Sequence, residues 1–156
     1  HHDGMGHSGL TCSIGGSTVY ARSTKQKLVC KSSSEAELLA LNAACDETLY
    51  LRNLLEELGA PQSGPTVMHQ DNQSTIKMAE KGELGTKRTK HFTVRHYFVK
   101  SHLDQRSITL VYQPTDKMLA DGLTKALSGP PARAWATRLL GCGRKMDQVG
   151  TLKSAT

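Results

Sequence analysis

A chain of 156 residues is long enough for one domain with a real hydrophobic core. Only 37% of it is hydrophobic and 4% aromatic, so that core must be built mostly from Leu, Val, Ile, Ala and Met. The net charge of +6 and pI ≈ 9.3 favour an anionic partner, nucleic acid first among them, and no apolar run approaches the roughly 18 residues a membrane-spanning helix needs.

The chain opens with a Gly- and His-rich loop from His1 to Gly9. Leu10 to Ile14 and Thr18 to Arg22 are short β-prone runs around Gly15-Gly16-Ser17, a hairpin signature. Lys27 to Cys30 is a candidate third strand. Ser32-Ser33-Ser34 then offers helix caps, with two overlapping capping boxes, Ser32 with Glu35 and Ser34 with Glu37. Leu38, Leu41 and Cys45, continued by Leu51, Leu55 and Leu58, predict a long amphipathic helix from about Ser33 to Leu58, ended by Gly59 and Pro61.

Thr66, Val67 and Met68 suit a buried strand, and Asn72 and Ser74 can cap a helix that runs to about Lys81. Asp71 falls between the two, where ligands gather in open α/β sheets. A loop at Glu83 to Thr86 leads into a basic segment that reads as helix from Phe92 to Leu103. Ser107 to Tyr112 predicts a strand, Asp116 to Ala126 a helix, Gly129-Pro130-Pro131 a linker and Ala132 to Leu140 a terminal amphipathic helix. Gly141 onward is polar, without a packing pattern, and reads as frayed. The order of elements predicts a mixed α/β fold with helices covering a small sheet.

The cysteines Cys12, Cys30, Cys45 and Cys142 form no C-x-x-C pair and have no His at zinc-finger spacing, so they read as reduced thiols. With no signal peptide visible, this predicts an intracellular protein.

Three acids stand out from this pattern. Glu37 lies in the first turns of the long helix, Asp71 at a strand end, and Asp121 inside the otherwise apolar run Met118-Leu119-Ala120-Asp121-Gly122-Leu123. Each has a purely structural reading: Glu37 as a capping-box partner, Asp71 as a helix N-cap, Asp121 as a solvated helix residue. Were they to converge, their repulsion would call for a cation, and an all-oxygen set suits Mg²⁺ or Mn²⁺. Two such ions about 4 Å apart activate water in phosphodiester cleavage. On spacing alone both readings stay open.

Four stretches occur in order: Lys31 to Leu41 (Lys-Ser-Ser-Ser-Glu-Ala-Glu-Leu-Leu-Ala-Leu), Gln70 to Ile76, Arg88 to Arg95 (Arg-Thr-Lys-His-Phe-Thr-Val-Arg) and Tyr112 to Lys125 (ending Leu-Ala-Asp-Gly-Leu-Thr-Lys). Together they resemble the ribonuclease H domain of Ty1/copia-type retrotransposon polyproteins, over roughly His1 to Leu140. The resemblance implies a ribonuclease H-like mixed sheet of five strands flanked by helices, and Mg²⁺-dependent cleavage of the RNA strand of RNA/DNA hybrids. It implies Glu37, Asp71 and Asp121 as catalytic metal ligands, and Lys87, Arg88, Lys90, His91 and Arg95 as contacts to nucleic-acid phosphates. It also implies an upstream reverse transcriptase domain in the same polyprotein, and a location in the cytoplasmic virus-like particle and the nucleus.

One departure from the pattern matters. In such domains a further catalytic aspartate sits on the first, central strand, and its match would precede His1. Asp3 is read as a loop acid, with ligation as its lesser alternative. The expectation is therefore a truncated domain over residues 1–127 that lacks its central strand, a C-terminal helix over 128–141 and a flexible tail over 142–156. The alternative to an active nuclease is a catalytically dead, nucleic-acid-binding remnant of such a domain.

Overall fold

A computed structural model describes residues 7–27, 30, 32–81, 90–141 and 153–155, with the backbone alone at 90, 91 and 153–155. Strands β1 (His7–Ile14) and β2 (Ser17–Lys25) form the expected antiparallel hairpin. Its two-residue turn, Gly15-Gly16, has φ of +59° and +85°. That pair of left-handed residues matches the twist of the strands and suits glycine.

Helix α1 (Ser33–Glu57) begins where the Ser32 hydroxyl accepts the Glu35 N–H at 3.2 Å, so Ser32 is the N-cap of the three serines. It ends at Gly59, φ +77°. Leu38, Leu41, Ala44 and Cys45 are fully buried beneath it, whereas Leu58 is 72% exposed and leaves the predicted stripe. Burial pushes the thiols of Cys12 and Cys45 up to about 11 and about 12, so both behave as small apolar fillers at neutral pH.

Strand β3 (Thr66–Gln70) buries Thr66, Met68 and Gln70 on one face and pairs in parallel with β4 (Ile108–Tyr112). Helices α2 (Gln73–Lys81) and α3 (Lys90–Asp104) pack with α1 over the sheet. Phe92 and Val99 of α3, Ala79 of α2 and Ile108 and Leu110 of β4 join α1 in one core. Helix α4 (Gly129–Leu139) follows. Among the described residues no helix is long and apolar enough to cross a membrane.

Three expectations are corrected. Lys27 lies in a bend and Cys30 in no strand, with residues 28 and 29 outside the described set. The chain turns there because buried Gln26 donates to the Ser8 hydroxyl at 2.8 Å and to the Ala36 carbonyl at 3.0 Å, tying it to β1 and α1. The helix expected over Asp116 to Ala126 is instead two 3-10 turns, Thr115–Lys117 and Ala120–Leu123. Other donors take the carbonyls a continuous helix would use: Gln113 and Arg138 donate to Lys117 O, and Trp135 to Leu119 O. The predicted Gly-Pro-Pro linker is the first turn of α4, where proline's missing N–H costs nothing.

The sheet runs β2-β1-β5-β3-β4. The sequence led us to expect an open centre; the structure corrects this, because the centre is occupied. Strand β5 (Lys153–Ala155), from the tail read as flexible, fills it. Ser154 pairs with Cys12 antiparallel and with Met68 parallel. The reason is backbone chemistry: the inner edges of β1 and β3 carry N–H and C=O groups that need partners whatever side chains come with them. Through β5 the β1–β2 hairpin and the parallel β3–β4 pair become one sheet.

Candidate active site

The carboxyl end of β3 is the focus of the site. Buried Gln70, the last inward residue of that strand, accepts the Asn72 N–H on Oε1 at 3.0 Å and points Nε2 at Glu37 Oε2, 3.4 Å away on α1. Asn72, not Asp71, caps α2: its Oδ1 accepts the N–H groups of Ser74 and Thr75 at 3.0 and 3.2 Å. Asp71 is thereby released from the capping role and accepts the Thr115 hydroxyl at 2.9 Å.

Asp121 arrives from the other side. A Cβ at Gly9 would collide with the Ala120 carbonyl oxygen, so the glycine lets the second 3-10 turn lie directly on β1. Ser23 of β2 holds the same turn by donating to Leu123 O at 2.7 Å. Behind it, Trp135 of α4 packs against Gly122, where any side chain would strike the indole, and donates to Leu119 O at 2.8 Å. Asp121 is held by Lys125, Nζ to Oδ2 at 2.6 Å.

Glu37, Asp71 and Asp121, all half-buried, line one cavity of about 110 Å³ with His7, Ser8, Gly9, Gln26 and Thr124 among its other walls. They sense one another. The Glu37 carboxyl is raised above its ordinary value, first by burial and then by the charge of Asp71, with the Gln70 hydrogen bond opposing and Asp121 adding a little more. Lys125 is raised in turn by its hydrogen bond to Asp121 and by that residue's charge. Such a set of oxygens has the chemistry of a hard divalent-cation site. Among the described residues, however, no three His, Cys, Asp or Glu side chains already stand in a metal-holding arrangement, and the Lys125 ammonium supplies positive charge in their place.

The basic residues named from the sequence are less fully accounted for. Asp3, Lys87 and Arg88 lie outside the described residues, as do the side chains of Lys90 and His91. Arg95, on α3, lines a second and wider groove of about 540 Å³ that shares Ser8, Gly9, Gln26 and Ala40 with the acidic cavity. Sequence reasoning missed Gln70, Gly9 and Lys125. Gln70 was the one that could have been found, as a polar residue at the last inward position of an alternating strand; the roles of Gly9 and Lys125 depend on contacts across the fold.

Over most of its length the chain is similar to a segment of retrotransposon Pol polyproteins of the Ty1/copia type. It is 32% identical over 120 residues, 77% of this chain, to the retrovirus-related Pol polyprotein from transposon TNT 1-94 of Nicotiana tabacum. It is 28% identical over 137 residues, 88% of this chain, to that from transposon RE1 of Arabidopsis thaliana, and 26% identical over 114 residues, 73% of this chain, to the Ty1-NL2 Gag-Pol polyprotein of Saccharomyces cerevisiae. The chain spans 9% of the length of the two plant relatives and 6% of the yeast one. No protein-family model matches the chain, and no solved structure matches it.

Proposed function

We propose that this chain is the ribonuclease H segment of a Ty1/copia-type Pol polyprotein and that it cuts the RNA strand of RNA/DNA hybrids made during reverse transcription. The observation that carries the reading is the meeting of Glu37, Asp71 and Asp121, from three separated segments, around one cavity at the carboxyl end of β3. Helix caps and solvated acids have no reason to converge. The resemblance of the four ordered motifs and the similarity to Pol polyproteins both support it.

Mg²⁺, or Mn²⁺, is the cofactor this donor set suits; Glu37, Asp71 and Asp121 would hold it, and when bound it would supply an activated water and charge stabilisation for the leaving oxygen. The chain's own residues do the rest. Gln70 aims Glu37, and Thr115 aims Asp71. Lys125 balances the charge of Asp121 until a cation displaces it. No side-chain nucleophile is needed. The RNA strand would be recognised by the 2′-hydroxyls of an A-form-like minor groove, and cationic side chains would hold the phosphates.

The test is cleavage of a hybrid labelled on its RNA strand, with and without EDTA, by the chain and by a version extended upstream. Metal-dependent cutting abolished by Asp71→Asn is the expected result; cutting that persists in that variant overturns the assignment. A second reading, a binding module without catalysis, is favoured by the ammonium already seated on Asp121 and by the lack of a ready metal cluster among the described residues. Hybrid binding without metal-dependent cutting from either version would select it.

A further inference from the structure

We propose that the outer face of the last turns of α1 is an interaction surface, and that its partner is the basic face of α4 in a second copy of this chain. The inference goes beyond the nuclease reading and does not depend on it: neither face contributes a residue to the acidic cavity.

Helix α1 holds six of the chain's 14 acids but only one of its 20 Lys and Arg residues, Arg52. That arginine is turned to the following loop, where it donates to the Gln62 and Gly64 carbonyls and the Thr66 hydroxyl. Glu56 and Glu57 therefore close the helix with no base in its last turn and no ion pair among the described residues. Their charges add to the negative end of the helix dipole, an arrangement that favours the arrival of a cation. Beside them Tyr50, Leu54 and Leu58 stand four residues apart, so they form one ridge. They are 62%, 37% and 72% exposed. Single exposed leucines are ordinary. A row of three apolar side chains on one helix face, rimmed by carboxylates, has the make-up of a contact surface.

The same chain carries the complement. Helix α4 has no acid, and its two arginines, Arg133 and Arg138, are exposed with no ion pair among the described residues. Arg138 donates to the Lys117 carbonyl, a neutral group that leaves its charge uncompensated. Leu140, 66% exposed just past the helix, supplies apolar surface. Charge decides between the available pairings. Packing α1 against α1 would set Glu56 and Glu57 near acids, whereas α4 offers only cations. The contact joins unlike surfaces of successive copies and is heterologous. Two helix faces a few turns long fall short of the standard interface of about 800 Å² per partner, so single chains predominate at low micromolar concentration and association appears above it.

The experiment is sedimentation equilibrium of the whole chain from low micromolar to near-millimolar concentration, at low and high salt. Mass should rise with concentration above the 17.0 kDa of one chain, and the rise should shrink in high salt. Glu57→Lys and Arg133→Glu should each weaken association by about 10-fold, and the double variant should recover most of the loss. Leu54→Ser/Leu58→Ser should abolish it. All four positions are exposed, and recovery in the double charge reversal is a result that a folding defect cannot produce. A single-chain mass at every concentration overturns the proposal, as does association that Glu57→Lys and the leucine variant leave unchanged. Single reversals that weaken association without recovery in the double variant overturn α4 as the partner surface.

Discussion

Lys125 reaches back one helical turn in sequence to place its ammonium 2.6 Å from Oδ2 of Asp121. Since the lysine is more than half exposed, the pair contributes little to folding, less than about 1 kcal/mol. Its importance lies in competition, because a divalent cation that uses Asp121 must displace it. Lys125→Met should therefore change the melting temperature by no more than roughly 2–4 °C while tightening Mn²⁺ binding in calorimetric titration. Unchanged or weaker Mn²⁺ affinity would mean that the ammonium is not in the cation's way.

Glu37 gives the pH dependence. Its folded-state carboxyl is raised above 4.5 by burial and by Asp71, so the folded chain holds the proton that the unfolded chain has already released. Stability from this group is thus fully present below the unfolded value and falls as pH rises through the folded one. Without metal, thermal unfolding followed from about pH 4 upward should show a declining component that Glu37→Gln removes. Saturating Mg²⁺ should reverse it, adding about 1.4 kcal/mol at ten times the dissociation constant. A stability curve identical in wild type and Glu37→Gln contradicts the coupling.

Gly122 and Trp135 form the clamp behind Asp121. A methyl at position 122 would strike the indole, which its hydrogen bond to Leu119 O holds in place. Gly122→Ala should cost about 1–3 kcal/mol, the range for overpacking, and shift the fluorescence of the single tryptophan. The double variant Gly122→Ala/Trp135→Ala should be less destabilised than the sum of its parts. Simple additivity would show that the two residues do not meet.

The sequence was informative where chemistry is local. The Ser32 cap, the spacing of Leu38, Leu41 and Cys45 in α1 and the Gly-Gly turn act within a few residues, and each appears where it was expected. The convergence of Glu37, Asp71 and Asp121 was legible only jointly, through motif order, because each acid taken alone had an ordinary structural role. What escaped depends on partners distant in the chain. The 3-10 turns around Asp121 replace a helix because Trp135 and Arg138, both on α4, take the carbonyls of Leu119 and Lys117. The central strand comes from Lys153–Ala155, whose polar sequence carries no strand signal and whose placement follows from the unsatisfied edges of β1 and β3.

That central strand is itself testable. It pairs through three residues with each neighbour, although β1 has eight and β3 five. Ending the chain at Gly141 should open both inner edges, lower the melting temperature and promote self-association, read by thermal unfolding together with size-exclusion chromatography. A truncated chain that stays monomeric with an unchanged melting temperature would show that β5 is not needed to close the sheet.

The central claim is that three carboxylates from separate segments act as one cation site. Mn²⁺ titration of the chain, with calorimetric detection, tests it most directly against Glu37→Gln, Asp71→Asn and Asp121→Asn. The account predicts that each single substitution weakens binding at least 10-fold and that a second substitution adds less than the first, as for residues sharing one ion. Wild-type binding preserved in any one of the three variants, or no saturable binding in the wild type, contradicts it.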